Sequence, residues 1–382
     1  MAQIILDSGG WHDVIDFETG DSLESWDNPV IDDVIGIISG LPYPGEVNPD
    51  SIEWTTSVGK ALYDYNQPDF IMLSYATPYF IKSTVPSAPE DEKELNRRLF
   101  SSVQDFLSYT GYVPVIVGSG GMTDIIGEVL PTSLRGRVNQ GMGSFPYGGI
   151  FHATEDEMES VGKIPHTKLV TRDDFMKDFP QAGEDFIAEL PDGLLLLEET
   201  GYVFSRAGIR GMTLYKTPNV TGELPVYTTL QTPGHITDVR RVIEEALDDG
   251  DKAALIVLDG IGAEDFLVPY GMMPANDKWM LYASTMSQYM ALLSGQPFYE
   301  CAAPLVHEHR PYKDRSNRHP YAQFTDKDMP SNVLGRKKGI KTAAAGSRSM
   351  ITHSVSQADI SIECHARQMI PSGILAMVND PK

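Results

Sequence analysis

Asp259 closes the run Ala253-Ala-Leu-Ile-Val-Leu and is followed by Gly260-Ile-Gly262. A carboxylate at the end of such a run is a candidate metal ligand or acid–base group, because open α/β sheets bind ligands at the carboxyl ends of their strands. The glycines after it let the backbone turn sharply or pass close to a ligand. Downstream lie Ser284, Thr285 and Ser287, at the start of an expected helix. A hydroxyl there sits among free backbone N–H groups, which favour nearby negative charge. Ser284 and Thr285 are therefore candidate nucleophiles or anion ligands, and the alternative for any one of them is a helix cap.

Three further groups of residues carry possible chemistry. Val117-Gly118-Ser-Gly120-Gly121 leaves an apolar run and leads into an expected helix, so Gly118, Gly120 and Gly121 could cradle a phosphate. Thr123 stands where the dinucleotide fingerprint has its third glycine, and a tight structural turn is the competing reading. His307 and His309 alternate in His307-Glu308-His309-Arg310, and His319 follows. On a strand the first two would share a face and, with His319, could bind a transition metal, with Cys301, Glu308 and Asp314 as extra ligands. His309 could instead act in catalysis, or the imidazoles with Arg310 and Arg315 could grip a phosphate or carboxylate. A surface loop with incidental histidines is the bland alternative. Finally, His353 and Cys364 beside His365 are further candidates, although neighbours on a strand point apart.

The elements that must position these groups alternate between strand and helix. Strands are expected at Gln3–Asp7, 69–75, 113–117, Gly193–Leu197 and 253–259. The β-branched, unbroken apolar run at 253–259 suits a parallel strand covered on both faces. Helices are expected at 90–109, 237–247 and 280–293, each with apolar residues at three- and four-residue steps. This order predicts an α/β fold, with a mainly parallel central sheet flanked by helices. Between 127 and 235, short strands at Tyr202–Phe204, 212–215 and 226–230 are separated by Gly and Pro. We expect an α/β core over 1–126 and 236–382, interrupted by a smaller β-rich insertion or domain at 127–235. The 301–350 stretch reads as loop-rich, with a further strand at 360–363.

The Asp-Gly-x-Gly strand end, a following Ser/Thr and the closing Leu293-Ser-Gly-Gln-Pro297 resemble the opening of the alkaline-phosphatase-like superfamily. That superfamily includes cofactor-independent phosphoglycerate mutases, phosphopentomutases and nucleotide pyrophosphatases. The resemblance implies that Asp259 binds one of two divalent metals (Zn, Mn or Mg) and that Thr285 or Ser284 accepts the phosphoryl group. Ile4-Ile-Leu-Asp7-Ser-Gly-Gly10, with Ser39-Gly40-Leu-Pro42 after it, has a similar outline and adds Asp7 as a candidate metal ligand. The superfamily's Asp-His pair has no counterpart after 113–117, where Gly120-Gly121 stands instead.

Bulk properties narrow the partners. The chain has 382 residues and a formal net charge of −23, which argues against general nucleic-acid binding. Residues 301–350 hold ten Lys or Arg against four acids, a net +6, so the other 332 residues carry −29. A basic island in an acidic chain suits an anionic ligand, or an acidic surface of the same protein or of a second subunit of a homo-oligomer. No apolar run approaches the ~20 residues that span a membrane. Two cysteines and an opening Met-Ala-Gln-Ile-Ile-Leu-Asp without a basic n-region point to the cytoplasm. The expected function is an enzyme acting on a phosphorylated or other anionic small molecule, with metal-dependent phosphoryl hydrolysis or transfer implied by the resemblance. The alternative is a non-catalytic assembly or anion-binding protein on a degenerate hydrolase scaffold.

Overall fold

The computed structural model describes residues 3–7, 12–16, 19, 21–129, 138–139, 146–204, 213–219, 222–282, 285–300, 333–348, 356–367 and 370–379. In chain order the first elements are β1 (Gln3–Asp7), β2 (His12–Asp16), α1 (Pro29–Gly40), α2 (Ser51–Asn66), β3 (Phe70–Tyr75), α3 (Thr77–Thr84), α4 (Pro89–Thr110) and β4 (Val113–Gly118). The middle of the chain forms β5 (Met122–Asp124), β6 (Gly127–Val129), β7 (Val138–Asn139), β8 (Tyr147–Ile150), α5 (Glu155–Val161), β9 (Thr167–Thr171), α6 (Arg172–Asp178) and α7 (Glu184–Glu189). It continues with β10 (Gly193–Leu197), β11 (Tyr202–Phe204), β12 (Lys216–Pro218) and β13 (Glu223–Thr228). The last part forms α8 (Val239–Asp248), β14 (Ala253–Leu258), β15 (Gly271–Pro274), β16 (Asn276–Asp277), β17 (Met280–Leu281), α9 (Thr285–Ser294), β18 (Thr342–Gly346), β19 (Ile360–Arg367) and β20 (Ile370–Val378).

One ten-stranded sheet organises the molecule, in the order β15-β13-β4-β14-β3-β18-β19-β20-β1-β2. Its five central strands, β4 to β19, run parallel. Both margins are antiparallel: β13 and β15 on one side, β20, β1 and β2 on the other. The expected parallel sheet is thus the centre of a mixed one. A second sheet, β7-β8-β10-β9, is antiparallel and lies with α5, α6 and α7 in the segment between β4 and β14.

The strands alternate their side chains between two apolar layers, as a pleat of period two requires. Phe70, Met72, Val115, Val117, Leu255 and Val257 face the first layer, together with Val239 and Ile243 of α8 and Tyr289 of α9. Ile71, Leu73, Tyr75, Ile116, Ile256 and Leu258 face the second, with residues of α1, α2 and α4. Every residue of β14 is buried, which explains its unbroken apolar sequence. α4 begins at Pro89 with three acids following it in the first turn and ends where Gly111 adopts φ 70°, so proline, helix dipole and a left-handed cap mark its limits.

The helix expected at 280–293 starts later. Its first two residues, Met280 and Leu281, instead form β17 and pair with β16 across a turn at Lys278, at φ 57°. Residues 213–215 take no regular structure, and the nearby strand is β12, starting at Lys216. Among the described residues no helix is long and apolar enough to cross a membrane.

Candidate functional site

The parallel strands end together. Leu258 stands opposite Gly118 on one side and Tyr75 on the other, and Gly346 stands opposite Ser74. Beyond β14 the chain reaches α9 on the first-layer face, whereas beyond β3 it enters α4 on the second-layer face. Adjacent strands whose connections leave opposite faces open a crevice at their carboxyl ends, where α/β proteins bind ligands. Asp259 sits at this point. Its backbone N–H donates to the Tyr75 carbonyl at 3.0 Å. Gly260 then takes φ 75°, and a Cβ there would lie 2.9 Å from the Tyr79 Cα, so the turn needs glycine.

Asp259 is 1% exposed. Its Oδ2 accepts from Arg348 Nη1 at 2.7 Å and from the Tyr289 hydroxyl at 3.3 Å. Tyr289, from α9, also shares a 2.6 Å hydrogen bond with Ser74 at the end of β3. The Arg348 guanidinium lies 4.8 Å from the Tyr79 ring centre and 5.5 Å from that of Phe80, a cation–π arrangement that suits a partly desolvated arginine. Asp259 Oδ1 is buried with no hydrogen-bond partner among the described residues. Burial pushes the Asp259 carboxyl above its ordinary range, while Arg348, Ser119 and Tyr289 pull it back. Burial, then the neighbouring charge of Asp259, raises the Tyr289 hydroxyl well above its usual value.

Two supporting sets hold this centre. Ser347 ties β18 to β3: its N–H donates to the Ser74 carbonyl at 3.0 Å, and its Oγ accepts from Ala76 N–H at 2.8 Å. Lys82, buried in α3, reaches the Gly260 carbonyl at 3.0 Å and Asp265 Oδ2 at 2.7 Å, and Asn96 donates to Asp265 Oδ1 at 2.8 Å. An ammonium thus clamps the whole 259–265 turn against α3 and α4.

Sequence-predicted residues fare unevenly. Asp259 does meet a cation of the 301–350 stretch, namely Arg348. Lys337 of the same stretch instead docks on the acidic face of α8, at Asp248 (2.9 Å) and Glu244 (3.9 Å). Gly118, Gly120 and Gly121 lie at the end of β4 beside Asp259, but strand β5 follows them where a helix was expected. Without a helix start there is no ring of free N–H groups, and the Glu264 carboxylate packs against the Gly121 backbone. The phosphate cradle expected there is therefore not formed as a strand–turn–helix unit.

Asp7 ends β1, five strands from β14, which places its backbone about 24 Å from Asp259 at ~4.8 Å per strand. The two cannot ligate one ion. Thr285 opens α9, one turn before Tyr289, and its side chain lies outside the described residues. Ser284, Cys301, His307, Glu308, His309, Arg310, Asp314, Arg315, His319 and His353 also lie outside the described residues, as does the His365 side chain. Cys364 is a reduced cysteine inside the second apolar layer.

Among the described residues no group of three or more His, Cys, Asp or Glu side chains is placed to hold an ion. Asp259 offers Oδ1 alone, and the guanidinium on Oδ2 repels a divalent cation. The described residues do not fit a two-metal centre. Ser74, Lys82 and Tyr289 sit in ordinary strand or helix patterns that carry no mark of a site. Only Ser119, between Gly118 and Gly120, carried a signal. No protein-family model matches the chain, and comparison with curated proteins finds no match either.

Proposed function

We propose that this chain is an enzyme that acts on a phosphorylated or otherwise anionic small molecule, hydrolysing or transferring its phosphoryl group at the carboxyl ends of β3, β4, β14 and β18. The observation that carries this reading is the buried Asp259–Arg348 pair at the strand ends where the sheet's connections diverge. A buried carboxylate whose proton affinity is raised suits acid–base work, and a guanidinium beside it suits planar phosphate or carboxylate oxygens. Of the described cations in the +6 stretch, Arg348 follows β18 at this end and supplies the positive charge here, whereas Lys337 and Lys341 lie at the amino ends of the strands. In this reading residues 127–235 are a smaller β-rich insertion into the α/β body, and the enzyme works in the cytoplasm.

A second reading has one observation in its favour. Arg348 already neutralises Asp259, as expected of a hydrolase scaffold that has kept its shape and serves to bind an anion or to assemble. Purified full-length protein assayed on phosphomonoesters and phosphodiesters, with metal analysis of the same preparation, separates the two. Turnover that disappears in D259N supports the enzyme. Inorganic phosphate binding by calorimetry without any turnover supports the second reading, and neither signal retires both.

A further inference from the structure

We propose that Ser119 is the reacting hydroxyl of this site, with Asp259 as its proton acceptor. The proposal rests on the enzyme reading above and names the nucleophile of that reaction. Register places Ser119 immediately after Gly118, across from the residue that follows Leu258, which is Asp259. Both continue the alternation of Val117 and Val257 and so belong to the first-layer face.

Ser119 differs from the other hydroxyls gathered at these strand ends. Ser74, Thr77, Ser347 and Tyr289 are all fully buried. Ser119 is only partly buried, which sets it apart from them. The side beyond it is roomy, since a Cβ on Gly120 would touch only Leu224, at 3.9 Å.

The residue is also held and polarised. Its N–H donates to the Leu258 carbonyl at 3.0 Å, and its own carbonyl accepts from Gln288 Nε2 of α9 at 3.0 Å. Its Oγ accepts from Gly260 N–H at 3.1 Å, a donor that favours negative charge on that oxygen. With Gly260 N–H on its lone pair, the Ser119 proton is left to face an acceptor. Arg348 and Tyr289 fix the Asp259 carboxylate through Oδ2, which leaves Oδ1 to take that proton.

The step balances as follows. Ser119 Oγ attacks the phosphorus of a phosphate ester, and the Oγ–P bond forms as the bond from phosphorus to the leaving oxygen breaks. The Ser119 proton passes to Asp259 Oδ1 and from there to the leaving oxygen, which departs as the alcohol. Water then attacks the phosphoserine and gives a proton to Asp259. The Oγ–P bond breaks, inorganic phosphate leaves, and the proton returns to Oγ.

The test is to treat full-length protein with an aryl fluorophosphonate, which undergoes the same displacement with loss of fluoride. The labelled residue is then located by peptide mass spectrometry. Ser119 is expected to carry the adduct in the wild type, and D259N is expected to label on the order of 100-fold more slowly, the scale of a lost general base. Mapping the wild-type protein needs no variant to fold. Absence of an adduct at Ser119, or D259N labelling at the wild-type rate, overturns the proposal. Ester turnover with no Ser119 adduct leaves the enzyme reading standing and removes only the nucleophile. An adduct without turnover keeps Ser119 and retires the substrate class.

Discussion

Replacing Arg348 by Met should destabilise the protein by about 3–5 kcal/mol at pH 7, because it strands a buried carboxylate. The pair is 2.7 Å apart, with side-chain exposures of 14% for Arg348 and 1% for Asp259. At that separation an effective dielectric of 20 gives a gross attraction of about 6 kcal/mol, part of which desolvation of both charges offsets. Urea denaturation of the wild type, R348M, D259N and the double variant measures the coupling as a double-mutant cycle. The double variant, with both charges removed, should lie well above R348M in stability. The loss must also depend on pH. Burial raises the Asp259 pKa in the folded state, so its contribution is fullest below the unfolded value and is lost as pH rises through the folded one. Removing Arg348 raises the folded value further, so the R348M deficit should shrink at acid pH and grow toward neutrality. A deficit under about 1 kcal/mol at pH 7, or one that is flat with pH, refutes the claim that this pair bears a buried charge.

Three more outcomes are expected. K82M leaves Asp265 and the Gly260 carbonyl without their ammonium, and should cost roughly 2–4 kcal/mol in urea melts while speeding amide exchange across 260–265. G260A, forced to φ 75° with its methyl 2.9 Å from the Tyr79 Cα, should cost at least ~1–3 kcal/mol and reduce any turnover; a neutral G260A would mean that the turn does not position Asp259. Burial, followed by the charge of Glu46, pushes the Cys364 thiol well above its ordinary value, so Cys364 should resist alkylation at pH 8 until urea unfolds the chain, as read by peptide mapping.

Much of the central architecture was legible because burial wrote itself into apolar runs. β10 spans the residues expected, and β14 differs from the expectation only in stopping one residue before Asp259. α4 was readable through its proline start, its periodicity and Gly111. β18 was not. Thr342-Ala-Ala-Ala-Gly346 centres on three alanines, the best helix formers, in a basic stretch, yet all five residues are buried in mid-sheet, where tertiary packing overrides local propensity. At the antiparallel margins β1 was legible as a strand, but its pairing with β20 and that of β13 with β4 were not, because pairing between distant segments leaves no local periodic mark. The same limit applied to the site. Asp259 was visible as a strand end, Ser119 lay in a glycine-rich turn and Arg348 in the basic stretch, but Tyr289 sits in an ordinary helix pattern, and that these separate elements converge is not written in any one of them.

Phe70 of β3 lies beside Thr342 of β18, and β18 separates β3 from the whole far half of the sheet. The other neighbour of β3, β14, also follows it in the chain, so during synthesis, at roughly 5–20 residues per second, β3 waits tens of seconds or less with both edges bare before its permanent neighbours leave the ribosome. Such nonlocal closure makes for slow folding and for a sticky nascent chain. Yield in a recombinant host should consequently respond to growth temperature and chaperone supply more than the finished protein's resistance to denaturant would suggest.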